Sequence, residues 1–287
     1  MIELVLDMET GDPDDFLTLL LLLGHPAVTL QAVTVTPGAP DQIGLVRRAL
    51  ALFGRDIPVG ACNIDHPTSC VSAWHYRTYG SVPPSRDAEP GPGLLRRVCD
   101  ADTTLVTGGP PKNLGGALAL EGFTLGCWVG QGGFAGQGVV PEEQQLPQFR
   151  GREVCPSFNF DGAPQAVRAA LASPAIGLRR LVSKNVCHGV VYDAALHETV
   201  GAVRKQSRSL ELIWHGMDAY LRRHRAGKKL HDPLAACCAI DPGIGTWVEV
   251  EIEHGPGGWG ARRALGSGIW IITGYDRARF VEVLTAH

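Results

Sequence analysis

No stretch of about 18 consecutive apolar residues occurs in this chain, and its first residues run into an apolar segment without a basic, cleavable leader. Neither a membrane span nor an export signal is therefore expected, and a cytoplasmic protein is. Basic charge is not in excess: the formal net charge is −3, which leaves no footprint for nucleic acid or an anionic membrane surface. Arginine and lysine gather in Arg222-Arg223-His224-Arg225 and Lys228-Lys229, a patch that reads as the solvated end of a helix. The eight cysteines (Cys62, Cys70, Cys99, Cys127, Cys155, Cys187, Cys237 and Cys238) never fall in CxxC spacing. They read as small buried hydrophobes or free thiols, and their spacing argues against a zinc site. A phosphate loop of the form GxxxxGK[ST] is absent, as are internal repeats and low-complexity segments.

What remains is the composition of an ordinary globular protein, 45% hydrophobic over 287 residues, enough for one large core in a single domain spanning 1–287. Ile2 to Leu6 is a nearly continuous apolar run, as suits a strand buried on both faces of a parallel sheet. An apolar helix follows over Phe16 to Leu23, ended by Gly24. Val28 to Val35 is β-branched and reads as a strand, then a helix runs from about 41 to 53 and a short strand from 57 to 60. Further strands are expected over Thr103 to Thr107, Thr124 to Gly130 and Leu178 to Val182. Helices are expected to about Leu120, from about Ala163, over Ala194 to Val203 and over Leu210 to His224. Trp247 to Ile252 and Ile269 to Thr273 read as closing strands of antiparallel type. This βαβ alternation predicts an α/β protein: an open, mostly parallel sheet flanked by helices, with ligands bound beyond the carboxyl ends of its strands. Two long irregular segments, 61–90 and 132–158, are candidates for ligand contact and for a lid. In them and in the Leu210 helix, Trp74, His75, Tyr76, Phe134 and Trp214 are the aromatics that could face a flat ligand.

The densest chemistry lies where the first strand ends. Asp7-Met8-Glu9-Thr10-Gly11-Asp12-Pro13-Asp14-Asp15 holds five carboxylates and no basic residue. Such a cluster raises the pKa of each member unless a counter-charge joins it, and hard oxygen ligands on a tight turn suit Ca²⁺ or Mg²⁺. Helix capping accounts for Asp12 and Asp15, with Pro13 as the first helical residue. It leaves Asp7 and Glu9 unexplained; two apart, they point to the same side of a strand end.

With a second Asp-Pro helix start at His231-Asp232-Pro233-Leu234-Ala235, the chain resembles the calcium-dependent nucleoside hydrolases, the inosine-uridine-preferring N-ribohydrolase group. Its acidic window stands where that family has DxDxGxDD, or a longer form with an extra Asp. His231-Asp232-Pro233 matches the family's C-terminal signature. Thr107-Gly108-Gly109-Pro110-Pro111-Lys112-Asn113, Val129-Gly130-Gln131-Gly132-Gly133 and Ser157-Phe158-Asn159 match its middle markers in order.

The resemblance implies a Ca²⁺ site at Asp7, Asp15 and Asp232 with the main-chain carbonyl of Lys112, and Mg²⁺ as the less favoured ion. It implies Glu9 as general base, Asp14 and Asn159 against the ribose, and His231 facing the leaving base. Asp12, Phe158, His188 and Trp74 are further substrate-binding candidates, His188 also as a possible proton donor. Cleavage of an N-glycosidic bond creates an oxocarbenium-like ribose, which surrounding carboxylates stabilise. The implied partners are a small-molecule nucleoside and further copies of the chain, in a homodimer or homotetramer. Three positions depart from the family pattern: Glu9 for Asp, Lys112 for Thr and Ser157 for a ribose-contacting Glu. They point to a modified or 5′-substituted nucleoside as substrate. They also motivate a rival reading, a non-catalytic Ca²⁺-dependent nucleoside- or ribosyl-binding protein. A second rival takes Asp7-Met8-Glu9-Thr10 as the nucleophile motif of a haloacid-dehalogenase-type phosphatase, which gives His231-Asp232 no role.

Overall fold

Strand alternation at the N-terminus sets the layers of the molecule, a computed structural model describing residues 1–287. In β1 (Ile2–Met8), Leu4, Leu6 and Met8 enter one apolar cluster and Val5 enters another on the opposite face, because successive strand side chains point to opposite sides. A strand buried on both faces needs helices on both. The helices Pro13–Gly24, Pro40–Leu52, Arg208–Leu221 and His231–Ile240 supply the larger cluster; Gly91–Val98, Lys112–Leu118 and Pro164–Ala172 supply the other.

The remaining strands are β2 (Val28–Val35), β3 (Val59–Ala61), β4 (Glu89–Pro90), β5 (Thr104–Thr107), β6 (Leu125–Gln131), β7 (Val154–Cys155), β8 (Ile176–Val182), β9 (Val191–Tyr192), β10 (Lys228–Lys229), β11 (Gly245–Gly255), β12 (Gly258–Arg263) and β13 (Ile269–Tyr275). Eleven of the thirteen strands form one sheet in the order β4-β3-β2-β1-β5-β6-β8-β13-β11-β12-β7, and β9 and β10 pair separately. From β1 the chain builds outward through β2, β3 and β4, then returns to lay β5 on the other flank of β1. The β1/β5 boundary is thus a topological switch point, where the loops leaving adjacent strands diverge and open a crevice.

The α/β class and its parallel centre agree with the sequence-based expectation; the far edge needs correction. β13 pairs antiparallel with β11 but parallel with β8, so Ile269 to Thr273 extends the parallel sheet as well as closing it. β12 has too many glycines and arginines to read as a strand, and pairing with β11 and β7 creates it. The 61–90 segment contains a short helix, Ala73–Tyr79, packed on the surface with Ala73, Tyr76 and Arg77 exposed. Its Trp74, His75 and Tyr79 are buried, Trp74 Nε1 donates to the Gly216 carbonyl at 3.3 Å, and His75 and Tyr79 pack on Phe16.

The Pro13–Gly24 helix is apolar nearly all round because it is enclosed by β2 and by the 208–221 and 231–240 helices. Leu19, fully buried within it, tests that enclosure. Leu19→Ala is expected to lower stability by about 2–5 kcal/mol through lost burial and a cavity, read from denaturant midpoints at unchanged slope; a loss below about 1 kcal/mol would mean the helix is loosely held.

Candidate functional site

β1 delivers Asp7 to the switch point, level with Thr34 of β2 and Thr107 of β5. Asp7 is 1% exposed. Its Oδ1 accepts from Thr34 Oγ1 and from Asn113 Nδ2, both at 2.8 Å, while its buried Oδ2 has no protein donor. Burial pushes the carboxyl up to about 7 against those two hydrogen bonds. Glu9, two residues on, is also raised to about 7 by burial, reinforced by Asp7 and Asp12 and opposed by the Lys112 ammonium.

The helix that follows brings three more acids. Asp15 Oδ2 accepts the Asp12 N–H at 3.0 Å, as a capping acid does. Asp14 Oδ2 accepts the main-chain N–H groups of His231 and Asp232, at 2.8 and 3.3 Å, at the start of the 231–240 helix. That contact joins two helix starts more than two hundred residues apart. Burial holds both Asp15 and Asp232 well above the usual carboxylate range; Asp14 repulsion adds to it at Asp15, where a hydrogen bond with Asp232 opposes it, and Asp15 and Asp14 repulsion add to it at Asp232. Asp232 Oδ2, like Asp7 Oδ2, is buried without a protein donor.

Counter-charge comes from a residue that local sequence assigned to solvent. Lys228 is 5% exposed, and its Nζ lies 2.8 Å from Asp12 Oδ2 and 2.8 Å from Asp14 Oδ1. Burial alone would lower its pKa; the Asp14 and Asp12 carboxylates outweigh burial and raise it. No local signal marks Lys228, because its partners lie at the other end of the chain.

These groups line one cavity of about 450 Å³, whose walls include Glu9, Asp12, Asp14, Asp15 and Asp232, and which has a single hydrophobic lining residue, Phe158. Two glycines let the backbone approach the acids: a Cβ on Gly108 would lie 2.3 Å from Asp232 Oδ2, and one on Gly109 2.6 Å from Glu9 Cγ. Buried orphan carboxylate oxygens, raised carboxyl pKa values and a glycine-lined approach together fit a hard divalent cation. On the same cavity, His188 and His231 meet edge to face with centroids 4.7 Å apart. Burial is the main cause lowering His188 to about 3 and His231 to about 4; nearby lysines add to it.

A sequence profile described as inosine-uridine preferring nucleoside hydrolase matches residues 4–282. The chain belongs to this family. It is 28% identical over 281 residues to a protein of Aquifex aeolicus (strain VF5) described as uncharacterized, covering 93% of this chain and 92% of that one. Solved structures with the same fold include a purine-preferring ribonucleoside hydrolase from Gardnerella vaginalis (TM-score 0.71, 20% identity, 99% and 96% of the two chains). A plant nucleoside hydrolase (0.73, 18%, 99% and 98%) and an inosine-guanosine nucleoside hydrolase (0.72, 18%, 99% and 97%) share it too. Family membership makes the chain an N-ribohydrolase by class and leaves the phosphatase alternative without support. The nucleophile that alternative needs, Asp7, is moreover buried and hydrogen-bonded at Oδ1.

Of the residues singled out from sequence, this nucleoside hydrolase brings Glu9, Asp12, Asp14, Asp15, Phe158, Asn159, His188, His231 and Asp232 to the cavity wall, with Asp7 buried behind it. Asn159 is tied in place, its Nδ2 donating to the Gly108 carbonyl at 3.2 Å and to Gln131 Oε1 at 2.6 Å. Lys112 is not a lining residue; it opens the 112–118 helix and its charge acts on Glu9. Trp74 is a correction: it belongs to the core beneath the 208–221 helix. Phe134 packs on Phe149, and Trp214 stacks on His197, so neither faces the cavity. Gln131, Lys184 and Lys228 are the site residues that sequence reasoning missed. Gln131 stood in a quoted motif without a role.

Two outcomes are expected. Lys228→Met leaves Asp14 buried without its cation and is expected to cost about 3–5 kcal/mol in denaturant unfolding; a cost near zero would show Asp14 neutralised by other means. Asp7, Glu9, Asp15 and Asp232 titrate higher folded than unfolded, so the native state binds more protons and stability falls as pH rises through that window. The two histidines are lowered instead, and their opposing contribution ends near their unfolded value of 6.5. In chelator the melting temperature is therefore expected to drop between about pH 6.5 and about pH 8.5, and added Ca²⁺ to remove the drop. A flat profile in chelator would count against the acids being uncompensated.

Proposed function

We propose that this chain hydrolyses the N-glycosidic bond of a ribonucleoside to free base and ribose, with a hard divalent cation, Ca²⁺ ahead of Mg²⁺, held among its carboxylates. The observation that carries this reading is the convergence of Glu9, Asp12, Asp14, Asp15 and Asp232 on one polar cavity, beside two buried carboxylate oxygens, of Asp7 and Asp232, lacking protein donors. Asp7, Asp15 and Asp232 are the side chains that would hold the cation, with the Lys112 carbonyl as a further ligand. When bound, such a cation supplies Lewis-acid charge beside the ribose hydroxyls and the attacking water.

The chain's own groups do the rest. Glu9, raised to about 7 by burial, can take a proton from water at its carboxylate near neutral pH. Asp12, Asp14 and Asn159 orient the ribose, and the carboxylates together favour the positive charge that develops on the sugar. Phe158, 75% exposed at the rim, offers an apolar face to the base. His231 and His188 are uncharged at neutral pH. They assist departure of the base by donating a hydrogen bond from a neutral imidazole, without starting as charged acids.

Ser157 uses its hydroxyl to accept the Gly133 N–H at 3.1 Å and brings no carboxylate to the sugar, while Lys184 lines the same cavity with its Nζ donating to the Pro156 carbonyl at 2.8 Å. Substituted nucleosides, including those with an anionic 5′ group, fit that wall.

Free-base release from purine, pyrimidine and 5′-substituted ribonucleosides, with and without chelator, tests the reading. Release is expected to be lost in chelator and reduced at least about a hundredfold in Asp15→Asn. Ligand binding by calorimetry without release from any substrate would instead support the non-catalytic nucleoside-binding alternative, which the Glu9 and Ser157 departures favour.

A further inference from the structure

Behind the two histidines lies a thiol that hydrolysis does not use. Cys187 is fully buried at the end of the short Lys184–Cys187 helix, and its Sγ is 3.6 Å from His231 Nδ1. Ligand atoms of Cys187, His188 and His231 all lie within 4.8 Å of one another. With metal–sulfur near 2.3 Å and metal–nitrogen near 2.0 Å, neighbouring ligands of a tetrahedral zinc site stand about 3.5 Å apart. The Cys187–His231 pair already has that separation. Gln131 Nε2 donates to Cys187 Sγ at 3.4 Å and is itself anchored through Oε1 by Asn159. A fixed donor of this kind stabilises a thiolate ligand.

We propose that Cys187, His188 and His231 form a second metal site, for a thiophilic divalent cation of the zinc class, distinct from the carboxylate site and open to the cavity at its fourth position. Soft sulfur and imidazole ligands select against Ca²⁺ and Mg²⁺, so the two sites sort cations by chemistry. Binding replaces the Cys187 S–H bond by a sulfur–metal bond and releases the proton to solvent. The ammonium groups of Lys184, Lys228 and Lys229 act on His188 and oppose a cation there; Lys228 is already paired, and Asp14 and Asp232 act on Cys187 with the opposite sign. Absent CxxC spacing argued against zinc from sequence alone, but these ligands come from two segments over forty residues apart. One consequence rests on the proposed hydrolysis: occupancy takes both imidazoles from the leaving base, so zinc inhibits turnover.

The test is a cobalt(II) titration of full-length protein saturated with Ca²⁺, in a Cys62→Ser, Cys70→Ser, Cys127→Ser background that removes the thiols that are not buried. A thiolate-to-cobalt charge-transfer band with the intense visible bands of four-coordinate cobalt, displaced by Zn²⁺, is expected. Asp15→Asn should keep it. Cys187→Ala should abolish it, and His188→Ala, which retains the thiol, should weaken cobalt binding by more than about a hundredfold; circular dichroism verifies that both variants are folded. A cobalt spectrum without a thiolate band, or one unchanged in His188→Ala, overturns the proposal. The cobalt readout requires no turnover, so an inactive protein that shows the band refutes only the hydrolase reading, and an active protein without it refutes only the second site.

Discussion

Six carboxylates, of Asp7, Glu9, Asp12, Asp14, Asp15 and Asp232, meet at the carboxyl end of β1, and their mutual repulsion is the constraint around which the other parts are placed. The fold relieves it in three ways. Thr34 and Asn113 donate to one oxygen of Asp7; Lys228 sits between Asp12 and Asp14; and the first amides of the 231–240 helix donate to the second oxygen of Asp14. Each costs burial of a polar group that is unfavourable unless paired. What they leave uncompensated is Asp7 Oδ2, Asp232 Oδ2 and the raised Asp15 and Glu9 carboxyls. Of these carboxyls, those of Glu9, Asp15 and Asp232 line the cavity, and that of Asp7 lies behind its wall.

The sheet topology turns that demand into a site. Because the chain builds outward from β1 on one flank and returns through β5 on the other, loops diverge above β1 and leave a crevice. Gly108 and Gly109, leaving β5, let backbone pass close to Asp232 and Glu9 where any side chain would collide. The cavity wall carries carboxylates, the side-chain amides of Asn159 and Gln131 and the imidazoles of His188 and His231, with Cys187 buried behind His231.

Much of this was legible in the chain itself. The apolar run into acids, the Pro13 helix start and the β-branched second strand each specify local structure through their nearest neighbours, and β1, β2 and the Pro13–Gly24 helix stand where periodicity placed them. The acidic window raised the expectation of a cation because five like charges in nine residues have no local means of neutralisation. Aromatic side chains misled for the converse reason. Trp74, Phe134 and Trp214 carry no period that distinguishes a face presented to ligand from one turned to core, and all three pack against protein.

Local order along the chain determined the strands, the helix starts and the acids, since those depend on residues within a turn of one another. Only the tertiary structure decided which charges meet. Lys228 reads as solvated by its neighbours and is buried because Asp12 and Asp14 reach it from the opposite terminus. Asp14 is marked in the sequence only through the resemblance, as a ribose contact, and the fold also uses it to close the first turn of a helix more than two hundred residues away. Cys187 and His231 carry no shared motif and become neighbours only when β8 and the 231–240 helix pack at the same end of the sheet. Electrostatic pairing and ligand geometry are set by distance in space, which chain order leaves open until the sheet is assembled.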